Sequence, residues 1–207
     1  MSKTKTSFVC QSCGYSSPRW TGKCPSCEQW NTFEEILLEP KRLKTGKAIS
    51  DKSVKDKIQT LEHIVHEDSG NRNPTKISEL DRVLGGGIVN GSVILIGGDP
   101  GIGKSTLMLQ IASNMSEKKF LYVSGEESAS QIKMRADRLG VKVKNFFVLS
   151  ETNLDTVHSA IEIEHPDYVV VDSIQTVYLP ELESSPGTIS QLRESTSYLI
   201  KIAKTTN

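Results

Sequence analysis

The chain has 207 residues, of which 36% are hydrophobic and 24% charged, and its 25 Lys and Arg balance its 25 Asp and Glu. This length suits one ordinary domain plus a small module. No apolar run approaches the roughly 20 residues of a membrane span, and the polar first residues lead into no signal-peptide core. We therefore expect a cytoplasmic protein with no membrane contact. Residues 1–76 carry 13 Lys and Arg against 9 Asp and Glu, so this part is the better candidate for contact with a polyanion.

The first predicted element is a pair of cysteine knuckles. All four cysteines fall in two C-x-x-C motifs separated by ten residues: Cys10, Cys13, Cys24 and Cys27. Each motif places two thiolates on one tight turn, and two such pairs complete the tetrahedral shell of a structural Zn²⁺ site. Disulfides are the alternative, which a reducing cytosol disfavours. We therefore predict a zinc ribbon over residues 1–34.

Aromatic residues are dense around these knuckles, with Phe8, Trp20, Trp30 and Phe33 in one short stretch. A module of this size has too few apolar residues to fold without metal, so we expect the four rings to supply its small core. Stacking on nucleic-acid bases is the alternative, and it requires exposed rings.

Residues 35–76 are polar and contain a basic run at 41–47. We predict a linker here. The basic run fits a solvated tether better than a contact with a phosphate backbone.

From residue 77 the pattern alternates between strand and helix, which builds a parallel sheet covered by helices. A capped helix start is expected at 78–81, ended by the glycines at 85–87. The further predicted elements are a strand at 92–96, a helix to about residue 115, a strand at 120–123, a helix at 129–139, a strand at 146–148, a helix at 154–164, a strand at 168–171 and a helix at 191–203. Another strand should follow the last helix, so we expect residues 77–207 to form a C-terminally truncated α/β domain.

The P-loop pattern G-x-x-x-x-G-K-[ST] is matched by Gly98-Asp99-Pro100-Gly101-Ile102-Gly103-Lys104-Ser105, followed by Thr106. Backbone N–H groups of such a loop and the helix N-terminus favour phosphate. Lys104 would bring a cation to the β and γ phosphates, and the Ser105 hydroxyl can ligate Mg²⁺. A chance glycine-rich turn is the alternative, which the flanking strand and helix patterns disfavour. We predict an ATP and Mg²⁺ site. No Asn-Lys-x-Asp guanine motif occurs in the chain, which disfavours a GTPase.

Carboxylates follow two of the predicted strands. Asp172 ends the strand at 168–171 in the manner of a Walker B aspartate, which holds Mg²⁺ through coordinated water. Glu126 and Glu127 follow the strand at 120–123, at the same edge of the sheet. We prefer Glu126 as the group that activates water, although paired glutamates are also common at helix N-termini. A solvated aspartate is the alternative for Asp172.

Three polar residues follow the predicted Walker B strand, and the sequence is compatible with two roles for them. They could sense the γ-phosphate or hydrogen-bond their own loop: Ser173, Gln175 and Thr176.

Together these motifs resemble the bacterial RadA/Sms DNA repair proteins. The resemblance is carried by the four-cysteine knuckle, the Leu84-Gly85-Gly86-Gly87 segment, the P-loop, Tyr122-Val123-Ser124-Gly125-Glu126-Glu127-Ser128 and Val171-Asp172-Ser173-Ile174-Gln175-Thr176. It implies a RecA-like core and a DNA-dependent ATPase that binds single-stranded DNA. It also implies branch migration of recombination intermediates with the RecA recombinase, and ring hexamers. Carried over by position, residues 98–105 hold the nucleotide, Glu126 activates water, Asp172 supports Mg²⁺ and the four cysteines bind zinc.

The family continues into a Lon-protease-like domain that this sequence does not contain. By position, residues 179–187 correspond to the first DNA-facing loop of RecA-like proteins. The segment is acidic, so its charge alone indicates a flexible loop. A competing functional class is a binding module in which the ribbon recruits a protein or nucleic acid and ATP only gates assembly.

Overall fold

The computed structural model describes residues 5–38, 60, 72–141, 144–182 and 184–206. The chain divides into two compact units, Met1–Asp68 and Ser69–Asn207. Most of the predicted linker, including the basic run at 41–47, lies outside the described residues. Within the described ranges, no helix has both the length and the apolar character needed to cross a membrane.

The first unit contains a small antiparallel sheet of order β2-β1-β3. Strand β1 is Lys5–Cys10, β2 is Ser16–Ser17 and β3 is Phe33–Leu38. The core is formed by the buried Cys10, Cys24 and Phe33, with Phe8 and Cys27 packed against them. Cysteine side chains therefore make up much of this core, as expected for a ribbon that folds around a metal.

The two tryptophans do not belong to that core. Trp20 is 54% exposed and Trp30 is 68% exposed, so the prediction of a four-ring core is right for Phe8 and Phe33 and wrong for these two. The space around the thiols is filled by the phenylalanines. Both indoles lie instead over Gly22, where an added Cβ would come within 3.8 Å of each ring. The ribbon therefore presents an aromatic surface to solvent.

The second unit is built on a parallel sheet of order β7-β6-β8. Strand β6 is Phe120–Ser124, β7 is Phe146–Leu149 and β8 is Tyr168–Asp172. The remaining elements are α1 (Ser78–Val83), α2 (Lys104–Asn114), α3 (Ala129–Arg138), α4 (Leu154–Glu164), α5 (Ile189–Thr205) and the short antiparallel pair β4 (Arg72–Asn73) and β5 (Ile88–Val89). The predicted parallel α/β fold is confirmed.

Helices cover both faces of the sheet. Tyr122 of β6 packs with Leu109 of α2 and Ile132 of α3 on one face. Leu121 and Val123 pack with residues of α4 and α5 on the other face. Successive strand residues point to opposite faces, which explains why every residue of β6 is buried.

The predicted elements after the P-loop agree with the structure to within two residues, but the predicted strand at 92–96 is wrong. No described strand pairs with this segment, and three of its four apolar side chains, Val93, Ile94 and Leu95, are exposed, Leu95 by 83%. A strand is defined by hydrogen bonds to a neighbour, which an apolar pattern cannot supply by itself.

The predicted cap of α1 is also wrong. Ser78 is the first helical residue, and Ile77 occupies the cap position without a side-chain hydrogen bond. Asp81 satisfies the backbone here instead, because its carboxylate accepts hydrogen bonds from the N–H groups of Thr75 (2.8 Å) and Lys76 (3.1 Å). These bonds lower the pKa of Asp81 below its ordinary value.

The loop between β8 and α5 is held by one buried side chain, a feature that its acidic composition did not indicate. Gln191 is 1% exposed. Its amide oxygen accepts from Leu179 N (3.1 Å), and its amide nitrogen donates to the carbonyls of Leu179 (3.2 Å), Leu182 (3.4 Å) and Ser184 (2.9 Å). One buried amide therefore fixes the loop at three of its residues.

We expect the substitution Gln191→Met to lower the free energy of unfolding by about 1–3 kcal/mol, because it removes the partner of Leu179 N and of the Leu182 and Ser184 carbonyls at nearly constant volume. Urea unfolding would measure the loss. The control is Gln110→Met on the exposed face of α2, which should change stability by less than about 0.5 kcal/mol. Equal effects of the two substitutions would contradict this role for Gln191.

Candidate functional site

The four cysteine sulfurs form one cluster. Their Sγ atoms all lie within 4.8 Å of one another, and the Cys10–Cys27 and Cys13–Cys24 pairs are each 3.6 Å apart. A zinc ion with four Zn–S bonds of about 2.3 Å holds its sulfurs about 3.8 Å apart. Disulfide sulfurs would lie only about 2 Å apart, and all four cysteines are free. The arrangement fits a tetrahedral Zn²⁺ site, as predicted.

The two knuckles share one backbone conformation. Gly14 N donates to Cys10 O (2.8 Å), and Glu28 N donates to Cys24 O (2.9 Å). Both residues follow the second cysteine of their motif and have positive φ, +75° and +59°. The same tight turn thus presents two thiols on each side of the metal position.

Hydrogen bonds prepare one of these thiols for metal binding. Burial raises the pKa of Cys10, but hydrogen bonds from Thr32 and from the backbone of Ser12 and Cys13 lower it below its ordinary value. The Thr32 Oγ1 lies 3.1 Å from the Cys10 sulfur. Because zinc is ligated by thiolate, these donors favour the form that binds.

The P-loop leads directly into α2. Gly103 stands at the cap position of the helix with φ +106°, a conformation that a side chain would strain. The Lys104 ammonium donates to the carbonyls of Gly98 (2.7 Å) and Asp99 (2.9 Å), so it lies within the loop. The cation therefore lies against the loop that leads into the helix N-terminus, a combination that suits a phosphate chain.

The structure brings Ser105 of the P-loop and Asp172, the predicted Walker B aspartate, together. Ser105 Oγ donates to Asp172 Oδ2 at 2.6 Å, although 67 residues separate them. The buried Tyr122 donates its phenol hydroxyl to the same oxygen. A hydroxyl beside a carboxylate supplies the oxygen ligands that Mg²⁺ prefers, so the residues fit this ion. Asp172 is therefore not simply a solvated strand end.

Glu126 reaches the same edge of the sheet through Gly125. Gly125 N donates to Asp172 O at 3.2 Å. An added Cβ at Gly125 would lie 2.6 Å from Thr176 Cβ and 2.7 Å from Thr152 Cγ2, so only glycine permits this approach. Ser173 Oγ then donates to Glu126 Oε1 at 3.2 Å. The loops after the three strands converge at this point.

A cavity of about 290 Å³ opens at the carboxyl ends of β6 and β7, and three of its lining residues are glutamates. Glu127 is paired with Arg135 of α3. Glu151 accepts from the backbone N–H groups of Thr152 (2.7 Å) and Asn153 (3.0 Å), which lower its pKa. Glu126 is exposed, and within the described part of the chain its hydrogen bond comes from Ser173 alone. Of the three carboxylates, Glu126 is therefore the most accessible to a ligand.

Sequence reasoning missed Tyr122 and Arg135. Burial and the hydrogen bond to Asp172 raise the pKa of Tyr122 above its ordinary value, so the phenol remains a donor. A single polar residue inside an apolar strand was the available signal for Tyr122. No local pattern marked Arg135, which lies eight residues from its partner Glu127. For Ser173, Gln175 and Thr176, the sequence left open whether they sense a γ-phosphate or hydrogen-bond their own loop. Thr176 bonds its own loop, since its hydroxyl donates to Ser173 O at 2.8 Å.

We expect the chain to contain about one Zn²⁺ and to lose the fold of residues near 8–33 when a strong chelator removes it, because structural zinc binding is coupled to folding. Both tryptophans of the chain lie in the ribbon, so tryptophan fluorescence reports this unit alone. The fluorescence should change on chelation, while far-ultraviolet circular dichroism should retain the helical signal of the second unit. A purified chain with intact thiols and no zinc would contradict the site.

Two family profiles match the chain. The KaiC ATPase family matches residues 73–159, and the rubredoxin metal binding domain matches residues 8–35. The first match contains the P-loop and both glutamates after β6, and the second contains all four cysteines. The order of the two matches is the order of the two units described above.

The similarity to curated proteins extends over almost the whole chain. The DNA repair proteins RadA of Bacillus subtilis and Listeria monocytogenes are each 49% identical over 99% of this chain. The DNA repair protein RadA of Halalkalibacterium halodurans is 47% identical over 100% of it. The chain spans about 45% of the length of each of these relatives. It therefore corresponds to a zinc-ribbon and RecA-type ATPase portion of the bacterial RadA/Sms family.

Proposed function

We propose that this chain hydrolyses ATP in a DNA-dependent manner, binds single-stranded DNA and takes part in the branch migration of recombination intermediates during DNA repair. The observation that carries the proposal is the contact of Ser105 Oγ with Asp172 at 2.6 Å, beside the accessible carboxylate of Glu126. These groups are the parts that a P-loop hydrolase needs at one place. The relatives' names supply the connection to DNA repair.

Each residue has a separate role in this proposal. Gly98–Thr106 hold the triphosphate through backbone N–H groups, and Lys104 neutralises phosphate charge. Ser105 and Asp172 would hold Mg²⁺, and the ion would neutralise phosphate charge. Glu126 orients or deprotonates the attacking water, and its carboxylate is exposed while accepting a hydrogen bond from Ser173.

The proposed partners follow from the family relation. They are single-stranded DNA, recombination intermediates and the RecA recombinase, and the full-length protein is proposed to form a homohexamer. The loop at 179–187, which Gln191 holds in place, is proposed to face DNA.

A second candidate is an ATP-gated assembly module whose zinc ribbon recruits a protein or a nucleic acid. The exposed Trp20 and Trp30 favour it, because aromatic side chains on a rigid surface commonly anchor partners. The two candidates differ in whether ATP turnover requires Glu126.

We expect Glu126→Gln to lower ATP turnover by about 100-fold or more, because it removes the group proposed to activate water. Glu127→Gln is the matched control and should lose much less ATP turnover, since Glu127 is paired with Arg135. Phosphate release would be measured with and without single-stranded DNA, and Lys104→Ala would serve as the blank.

Stimulation of the wild-type chain by single-stranded DNA, together with loss in Glu126→Gln alone, is the expected result. Unchanged turnover in Glu126→Gln would overturn the hydrolytic assignment and favour the gated module. Undiminished ATP affinity in Lys104→Ala would contradict the nucleotide site itself.

A further inference from the structure

Two hydroxyl groups donate to one oxygen of Asp172, and they differ in how they are held. Ser105 Oγ reaches Asp172 Oδ2 from the first turn of α2, at 2.6 Å. Tyr122 reaches the same oxygen from the middle of β6. Ser105 is also the proposed Mg²⁺ ligand, so its hydroxyl is required by the metal. The Tyr122 hydroxyl is not a proposed metal ligand, so it can keep its hydrogen bond to the carboxylate when a metal binds.

The position of Tyr122 is fixed by its strand and by packing. The side chain is 1% exposed and lies against Leu109 of α2 and Ile132 of α3. Its ring centroid is 5.7 Å from that of Phe146 on β7. The backbone of Tyr122 is paired on both sides, with Val148 and Val170. The phenol therefore cannot move far without disturbing the sheet.

The strand register explains why this phenol meets Asp172. Tyr122 of β6 lies opposite Val170 of β8, and Asp172 lies two residues after Val170 on β8. Residues in this diagonal relation share one face of the sheet and lie within reach of a long side chain. That face is the one covered by α2, whose first turn carries Ser105. The contact thus follows from the same pairing that places Asp172 at the nucleotide site.

We propose that Tyr122 is a positioning residue for the metal site, whose hydroxyl keeps the Asp172 carboxylate oriented toward Ser105 and a bound divalent cation. A carboxylate that loses this donor is freer to rotate about its Cβ–Cγ bond. Hydrogen-bond partners of metal-site residues commonly contribute 10- to 100-fold to metal affinity. Because the cation at this place is part of the proposed function, the role of Tyr122 rests on that function.

The test compares the Tyr122→Phe variant, which lacks only the hydroxyl, with the wild-type chain. Both chains are saturated with ADP. Mn²⁺ is the probe, and its binding is followed by electron paramagnetic resonance. Tyr122→Phe should bind Mn²⁺ about tenfold more weakly. Its affinity for a fluorescent ADP in the presence of EDTA should be unchanged, which shows that the fold and the P-loop are intact.

Two further variants serve as controls. Tyr168→Phe makes the same change four residues before Asp172, where Tyr168 stacks on Phe120 with ring centroids 4.9 Å apart. It should bind Mn²⁺ like the wild type. Asp172→Asn should bind Mn²⁺ more weakly than the wild type, since it removes the carboxylate itself.

The outcomes separate this role from the function on which it rests. Equal Mn²⁺ affinity of Tyr122→Phe and the wild type, with a clear loss in Asp172→Asn, would overturn the positioning role alone. Equal losses in Tyr122→Phe and Tyr168→Phe would also overturn it, because they would indicate a general effect on the sheet. Absence of Mn²⁺ binding by the wild type, or no effect of Asp172→Asn, would overturn the metal site of the proposed function together with the role of Tyr122.

Discussion

The parallel register of β6 against β8 is the constraint on which the proposed nucleotide site depends. It places Ser124 opposite Asp172, so the two strands end side by side. The next residue, Gly125, continues the pairing through its N–H to Asp172 O, and Glu126 follows at once. A shift of one residue would turn every side chain of β6 to the other face of the sheet. Both Tyr122 and the loop that carries Glu126 would then be lost from the site.

Asp172 lies at the centre of the candidate site because side chains from separate elements donate hydrogen bonds to it. Ser105 comes from the P-loop helix and Tyr122 from β6, and both donate to one carboxylate oxygen. Around this centre, neighbouring carboxylates are already engaged: Glu127 with Arg135, and Glu151 with backbone N–H groups. Glu126 is left accessible, which is why one glutamate of the pair is the better candidate for activating water.

Local patterns were sufficient for the parts of the molecule that are themselves local. The spacing of the four cysteines, the P-loop and the apolar runs of β6 and β8 each lie within a few residues and predicted the metal cluster, the loop and the sheet. Most failures involved packing or strand pairing, which a local pattern does not specify, and one was local, since the cap position of α1 is held by Ile77 and not by Ser78. The segment at 92–96 has the composition of a strand but no described partner, Trp20 and Trp30 are exposed instead of packed among the thiols, and the bond from Tyr122 to Asp172 depends on strand register.

The position of a bound metal tests this arrangement most directly. Crystals of the chain grown with a non-hydrolysable ATP analogue and Mn²⁺ would locate the ion by anomalous diffraction. The expected peak lies between the Ser105 hydroxyl, the Asp172 carboxylate and the phosphates held by residues 98–105. A nucleotide bound elsewhere, or an Mn²⁺ peak away from Ser105 and Asp172, would contradict the assembly of one site at the ends of β6 and β8.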